Sequence, residues 1–308
     1  QSIAGLGSIR DSGTADGRRP LSRRTIPPLS ARTMDKQLIA ERFAKARSTY
    51  TREARVQQQV AGKMMRILTD VLYSAEHILP ETLSARFRHI VEFGCGTGSY
   101  SRILLQTLQP DTLLLNDLCR EMEECVGELC STQAIPRKEG STETEVRFLP
   151  GDAESLDFPE YTDLITSCST LQWFNDPEAF FLRCHHALAK DGILAFSTFG
   201  TENMHQIRRL TGHGLDYLPA QRLQQLLAPH FDVLHAEEEI VSLSFTTPQA
   251  VLKHLKQTGV TGTEKRIWTR GRLQRFCEEY IRQFTDADGN VTLTYHPIYI
   301  IAKNKKPV

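Results

Sequence analysis

The sequence predicts an α/β protein built on a doubly wound, mostly parallel sheet, with helical segments added before and after it. Three observations carry that expectation. A short apolar run over residues 90–93 leads straight into Gly94-Cys95-Gly96-Thr97-Gly98, and a stretch of helical period follows over 100–108. That is the pattern of a buried strand, a glycine turn and a helix whose N-terminus faces a ligand. Downstream, apolar runs at 113–115, 146–149, 161–167 and 193–199 alternate with helix-period segments. Such alternation of buried strands and helices builds a parallel sheet covered on both faces. Finally, 308 residues with 40% hydrophobic content are enough to bury one good core and a small second one.

Composition narrows the function classes. Formal net charge is zero, so no global field points to nucleic acid or a membrane surface. No apolar run approaches the ~20 residues of a bilayer span. The seven cysteines include no CxxC pair. A disulfide framework or a metal knuckle is therefore not expected, and a reducing cytoplasm fits.

Each element has a local reason. Residues 1–33 are rich in Gly, Ser, Pro and Arg, with Asp11 and Asp16 as their only acids. They cannot bury enough apolar surface to offset ordering entropy, and read as a disordered leader or linker. Leu38, Ile39, Phe43 and Ala46 form one helical face, and Val56, Val60, Met64, Ile67, Leu68, Val71 and Leu72 a second. A break is expected between them at Ser48-Thr49-Tyr50. Because both precede the glycine strand, residues 34–80 are expected as a helical lid over the cleft. The core is expected over 81–246. Its second strand ends in Asn116-Asp117-Leu118, and its third leads into Gly151-Asp152-Ala153. Asp176 and Pro177 suit the N-cap and first position of a helix, and Lys190-Asp191-Gly192 suits the turn into strand five. Strand six is expected over 231–245, bent or broken near 236–239. A helical cap over 247–290 would hold two helices. The first runs from Thr247-Pro248 to Gly259. The second, capped by Thr269, has Leu273, Phe276, Cys277, Tyr280, Ile281 and Phe284 inward. Residues 291–308 then supply the final strand and a tail, after the Asp288-Gly289-Asn290 turn.

The glycine spacing is G-x-G-x-G, not the G-x-G-x-x-G of dinucleotide enzymes, and Glu92 stands two residues ahead of it. This resembles motif I of the class I S-adenosylmethionine methyltransferases. The resemblance implies a Rossmann-like sheet of seven strands with the last antiparallel. It also implies S-adenosylmethionine as cofactor, with no metal. A carboxylate at Glu92 suits the cationic end of that ligand and would be out of place beside a pyrophosphate. The implied cofactor set is Glu92, Gly94, Cys95, Gly96 and Gly98 at the turn, with Asp117 and Leu118 at the ribose. Asp152 and Ala153 would meet the adenine, and Ser167 stands at the end of strand four.

Methyl transfer requires a base only if the nucleophile carries a proton. The end of strand four reads Ser167-Cys168-Ser169-Thr170 and lacks the N-P-P-[YF] sequence with which N-methyltransferases grip an amine or amide. An ionised carboxylate would need no base at all. Several stretches together are similar to one family, the malonyl-[acyl-carrier protein] O-methyltransferases. They are Gln37-Leu38-Ile39-Ala40, Leu171-Gln172-Trp173, Lys256-Gln257-Thr258-Gly259-Val260-Thr261-Gly262, Leu273-Gln274-Arg275-Phe276 and Leu293-Thr294-Tyr295-His296. The resemblance spans residues 35–303, with Pro297 as a local departure. It implies methylation of the free carboxylate of a malonyl thioester on acyl-carrier protein, with S-adenosylhomocysteine as by-product. That reaction is the first step of the pimeloyl arm of biotin synthesis. For the carboxylate the expected residues are Tyr50 and His296, with Trp173 as an apolar wall. Lys253, Lys256, Lys265, Arg266, Arg270, Arg272 and Arg275 face only Glu264 as a nearby acid, and three of the arginines oppose the macrodipole of the last helix. An acidic carrier protein would explain that arrangement. On the residues alone, a methyltransferase for another small carboxylic acid and a non-catalytic assembly factor of the same fold remain open.

Overall fold

The computed structural model describes residues 33–76, 82–130, 143–260 and 268–306. The expected leader lies outside the described residues except for Thr33, as do Lys265 and Arg266. Among the described residues, no helix is long and apolar enough to cross a membrane.

The chain opens with helices α1 (Lys36–Glu53), α2 (Arg55–Glu76) and α3 (Leu83–Arg86). The doubly wound part follows as β1 (His89–Phe93), α4 (Ser99–Leu108), β2 (Thr112–Asp117), α5 (Glu123–Cys130), β3 (Glu145–Pro150), β4 (Thr162–Cys168), α6 (Pro177–Ala187) and β5 (Leu188–Phe199). Then come α7 (His205–Thr211), α8 (Ala220–Leu227), β6 (Phe231–Glu238), β7 (Val241–Phe245), α9 (Pro248–Gln257), α10 (Arg270–Phe284), β8 (Val291–Tyr295) and β9 (Pro297–Asn304). Seven strands form one sheet in the order β3-β2-β1-β4-β5-β9-β6, and only β9 runs against the rest. This is the class I methyltransferase architecture that the motif implied. β1 lies between β2 and β4, with Ile90 level with Leu113 on one side and Leu164 on the other. The strand order reverses there, which opens a crevice at the carboxyl ends of β1 and β4.

Side-chain alternation divides the core into two layers. In β9, Tyr299 and Ile301 face one layer with Met64, Leu68 and Leu72 of α2. Ile298, Ile300 and Ala302 face the other, with Phe180, Phe181 and Cys184 of α6. α2 is thus packed into the sheet's own core rather than perched above it, whereas α1 reaches over the crevice.

Three local expectations are corrected. The break between the first two helices falls at Ala54, not at Ser48-Thr49-Tyr50. The Ala54 N–H still donates to the Tyr50 carbonyl (2.8 Å), so the helix gains one more turn. Residues 231–245 divide at the break expected near 236–239, and the single final strand expected over 291–303 divides into two as well. β7 and β8 leave the main sheet and pair with each other, Val241 opposite Tyr295 and Phe245 opposite Val291. Both divisions occur at one place, where the Glu239 N–H donates to the Pro297 carbonyl (3.1 Å). Pro297 has no N–H to continue a ladder, so the chain can change sheets there. Ile281 of α10 is 52% exposed, while Phe276, Cys277 and Tyr280 point inward.

Candidate active site

The crevice is built from the loop that follows β1. Glu92 is 1% exposed and its Oε2 has no hydrogen-bond partner. Burial, aided by the charge of Asp117, pushes its carboxyl up to about 8. Gly94 has φ 68°, and a Cβ there would lie 2.1 Å from the Thr170 hydroxyl. Its role is to let β1 pass close to the segment after β4. Gly96 has φ 53° and nothing within 4 Å of where a Cβ would stand, so it leaves the cleft open. Asp117, ending β2, braces this loop by accepting from the Gly96 N–H and the Cys119 N–H, both at 2.8 Å. Burial still raises its carboxyl to about 6, against the pull of those two bonds.

Gly94, Gly96, Asp117, Leu118, Asp152 and Ala153 all line one cleft. α1 forms its roof. Lys36 Nζ reaches Glu154 (2.5 Å) and Asp152 (3.3 Å) and sits 5.0 Å from the centre of the Phe174 ring. Phe43 meets Trp173 edge to face at 5.7 Å. The Thr49 hydroxyl donates to the Gln257 carbonyl (2.9 Å) and ties α1 to α9. A second, smaller chamber lies beyond the wall made by Phe43, Tyr50, Ser169 and Trp173, which line both spaces. A third space adjoins Glu92, Gly94, Cys95 and Gly96. Tyr50 lines all three and stands where they meet.

Residues 91–196 match the family model described as a methyltransferase domain. A malonyl-[acyl-carrier protein] O-methyltransferase of Bacteroides helcogenes is 82% identical over 274 residues, covering 89% of this chain and all of that protein. The chain belongs to the malonyl-[acyl-carrier protein] O-methyltransferase family. A Bacteroides fragilis member is 51% identical over 90% of this chain, and the match takes in 52% of that longer protein. The crystal structure of a Bacillus halodurans methyltransferase, 14% identical, superposes with a TM-score of 0.54, covering 79% of this chain and 97% of that one. It shows the shared fold.

The residues present fit S-adenosylmethionine, the cofactor of this methyltransferase fold. A buried carboxylate with an unpartnered oxygen suits a cationic ligand end, and the bare Gly96 leaves room beside it. Acids at Asp117 and Asp152 line the remaining length of the cleft, with apolar Leu118, Met122 and Phe174 between them.

Not every expected residue is brought to this cleft. Gly98 is the N-cap of α4, with φ 79°, and its Cβ position is closed by Arg102 and Val126. Ser167 is fully buried with an unpartnered hydroxyl, and its neighbours Cys168, Ser169 and Thr170 line the cleft instead. Trp173 lines the cleft and the second chamber. His296 lines none of the three spaces. Its Nδ1 accepts from the Glu202 N–H (3.1 Å), its Nε2 lies 3.3 Å from Glu238, and its ring closes against Gly200. Sequence reasoning passed over Lys36 and Ser169. Lys36 carried a signal of the kind read in the last helix, a cation at the first position of a helix with no acid in its first turn. Ser169 carried none, because only the fold shows its backbone at φ 61° between two cavities.

Proposed function

We propose that the chain methylates the free carboxylate of a malonyl thioester carried on acyl-carrier protein, yielding the malonyl methyl ester. One observation carries this reading. Among the described residues, the second chamber is lined by no His, Asp, Glu, Lys or Arg. A nucleophile taken there finds no base, so it has to arrive without a proton. A carboxylate does so at neutral pH; an amine or an alcohol does not.

S-adenosylmethionine, when bound, supplies a methyl group on a positively charged sulfur. The chain's part is geometry. Glu92 and the Gly94–Gly98 turn hold the cationic end, and Asp117 and Asp152 orient the nucleoside. α1 excludes water through its ties to Glu154, Asp152 and Gln257. Tyr50 orients the carboxylate at the meeting point of the cavities, with Trp173 as its wall. An ester product is far easier to bury than a carboxylate in the apolar tunnels of chain-elongating enzymes. This places the step at the start of the pimeloyl arm of biotin synthesis.

Carrier recognition rests on the cap. Lys253 and Lys256 on α9, and Arg270 and Arg275 on α10, are exposed. Arg272 lies over the half-exposed ring of Trp268. None of the five forms an ion pair among the described residues, which leaves them free for an acidic partner. Lys265 and Arg266, expected in the same patch, fall outside the described residues.

The test is mass spectrometry of malonyl-carrier protein incubated with the protein and S-adenosylmethionine. A gain of one methyl group on the acyl chain is expected. Unchanged carrier, with an amine or a nucleic acid methylated instead, would overturn the assignment.

A further inference from the structure

The second chamber has a property that the reaction class does not require. Its polar lining is hydroxyl and amide. Three of the residues that line it carry a hydroxyl. Ser169 Oγ is buried and has no partner. Ser169 is held at φ 61° by its N–H, which donates to the Ser197 carbonyl (3.0 Å), so its position is imposed rather than relaxed. The Tyr217 oxygen accepts from Asn203 Nδ2 (2.8 Å), so its own hydrogen remains to be donated. Tyr50 is the third, at the meeting point of the cavities. Arg208 lies close enough for its charge to be felt at Tyr217. It donates to the Thr201 carbonyl, however, and does not line the chamber.

From this we infer that the substrate carboxylate is held by neutral hydroxyl donors, Tyr50, Ser169 and Tyr217, with no cation. Ser169 and Tyr217 are then substrate-positioning residues, and the exclusion of a cation is part of how the site works. This rests on the carboxylate reading given above. The reaction forms a bond from carboxylate oxygen to methyl carbon. The carbon–sulfur bond breaks with its pair left on sulfur, and no proton moves. A negative and a positive charge are both cancelled. Any cation beside the carboxylate would stabilise the charged starting state more than the partly neutralised transition state. In a water-excluding chamber that difference grows, because the interaction is poorly screened. Hydroxyl donors orient the oxygen while leaving its charge available. They also stay compatible with the neutral ester once it has formed. The same argument accounts for keeping the unpaired cations outside, on α9 and α10, where the carrier protein docks.

The experiment measures binding as well as turnover, with the malonyl thioester of N-acetylcysteamine as probe. Calorimetry is done on the full chain saturated with S-adenosylhomocysteine, using the free acid and its methyl ester. Ser169→Ala and Tyr217→Phe should each weaken the acid about tenfold, the worth of one hydrogen bond to a charged group, and leave the ester unchanged. Met204→Lys brings an ammonium to the chamber wall; it should tighten the acid and lower kcat. Thermal unfolding reports whether that variant folds, and the two conservative variants decide the matter if it does not. Acid binding unchanged in both conservative variants would overturn the inference, as would a higher kcat in Met204→Lys. Loss of acid binding on neutralising Lys265 and Arg266 together would overturn it too, by revealing a cation in the site. Should the wild-type protein neither bind nor methylate the acid, the carboxylate reading itself fails.

Discussion

At Glu92 a single side chain shows how the site is tuned. A carboxylate here with an unpartnered oxygen is held near 8, far above its ~4.3 in an unfolded chain. Between those values the folded protein keeps a proton that the unfolded chain has lost. Stability of the cofactor-free protein should therefore fall as pH rises from about 4.3 to 8. Asp117, raised to about 6, adds to the same trend over the lower part of that window. A cationic ligand reverses the preference by favouring the ionised form. S-adenosylmethionine should thus bind more tightly as pH approaches 8 and release a proton at pH 7, read as a dependence of calorimetric heat on buffer ionisation enthalpy. Glu92→Gln should abolish that release. Release persisting undiminished in the variant would assign the proton to another group. His296 makes the opposite case. Its ring is already engaged by the Glu202 N–H and Glu238 where the chain changes sheets. His296→Ala should lower the unfolding temperature by several degrees, the scale of losing a buried hydrogen bond, and leave KM for the malonyl thioester near wild type.

Among the elements, α1 matters most to function. Its apolar face covers the cleft, but its position depends on Lys36 bridging to Asp152 and Glu154. Glu154 in turn accepts from the Asn175 and Asp176 N–H groups at the start of α6. The acid expected to meet the adenine is thus also an anchor of the roof, so ligand and lid share one residue. Lys36→Met keeps the aliphatic stem and removes the bridge. It should loosen S-adenosylmethionine about fivefold, the value of a partly buried ion pair, through faster dissociation. Turnover at saturating cofactor should change little. A fall in kcat with unaltered affinity would instead make Lys36 a contact of the reacting groups. The pair β7 and β8 acts at the same scale. By leaving the main sheet, it carries α9 and α10 to the side of the crevice where Gln257 meets Thr49.

Over the whole molecule, the pattern is separation of charge by location. Net charge is zero, yet unpaired cations gather on the cap while the second chamber is lined without any among the described residues. Replacing Arg270 and Arg275 with Glu should raise KM for carrier-bound substrate about tenfold or more at low salt, with the difference shrinking as salt rises. The short thioester should be unaffected; equal losses on both substrates would remove the docking role. How much of this could be read beforehand depends on the range of the interactions. The strand, turn and helix around Gly94, Gly96 and Gly98, the acids at Asp117 and Asp152, and the caps at Asp176, Thr247 and Thr269 were legible. Strand pattern, backbone strain and capping act over a few residues, so the linear order of the chain carries them. The fate of Ser169, Tyr217, Lys36 and His296 depended on contacts between residues tens to more than a hundred positions apart. Whether a hydroxyl opens on a cavity, or a histidine is already satisfied, is set by what the rest of the chain places beside it. The sequence by itself determined the sheet and the glycine turn after its first strand; only tertiary packing decided which residues line the second chamber, because burial and partnership belong to the folded whole.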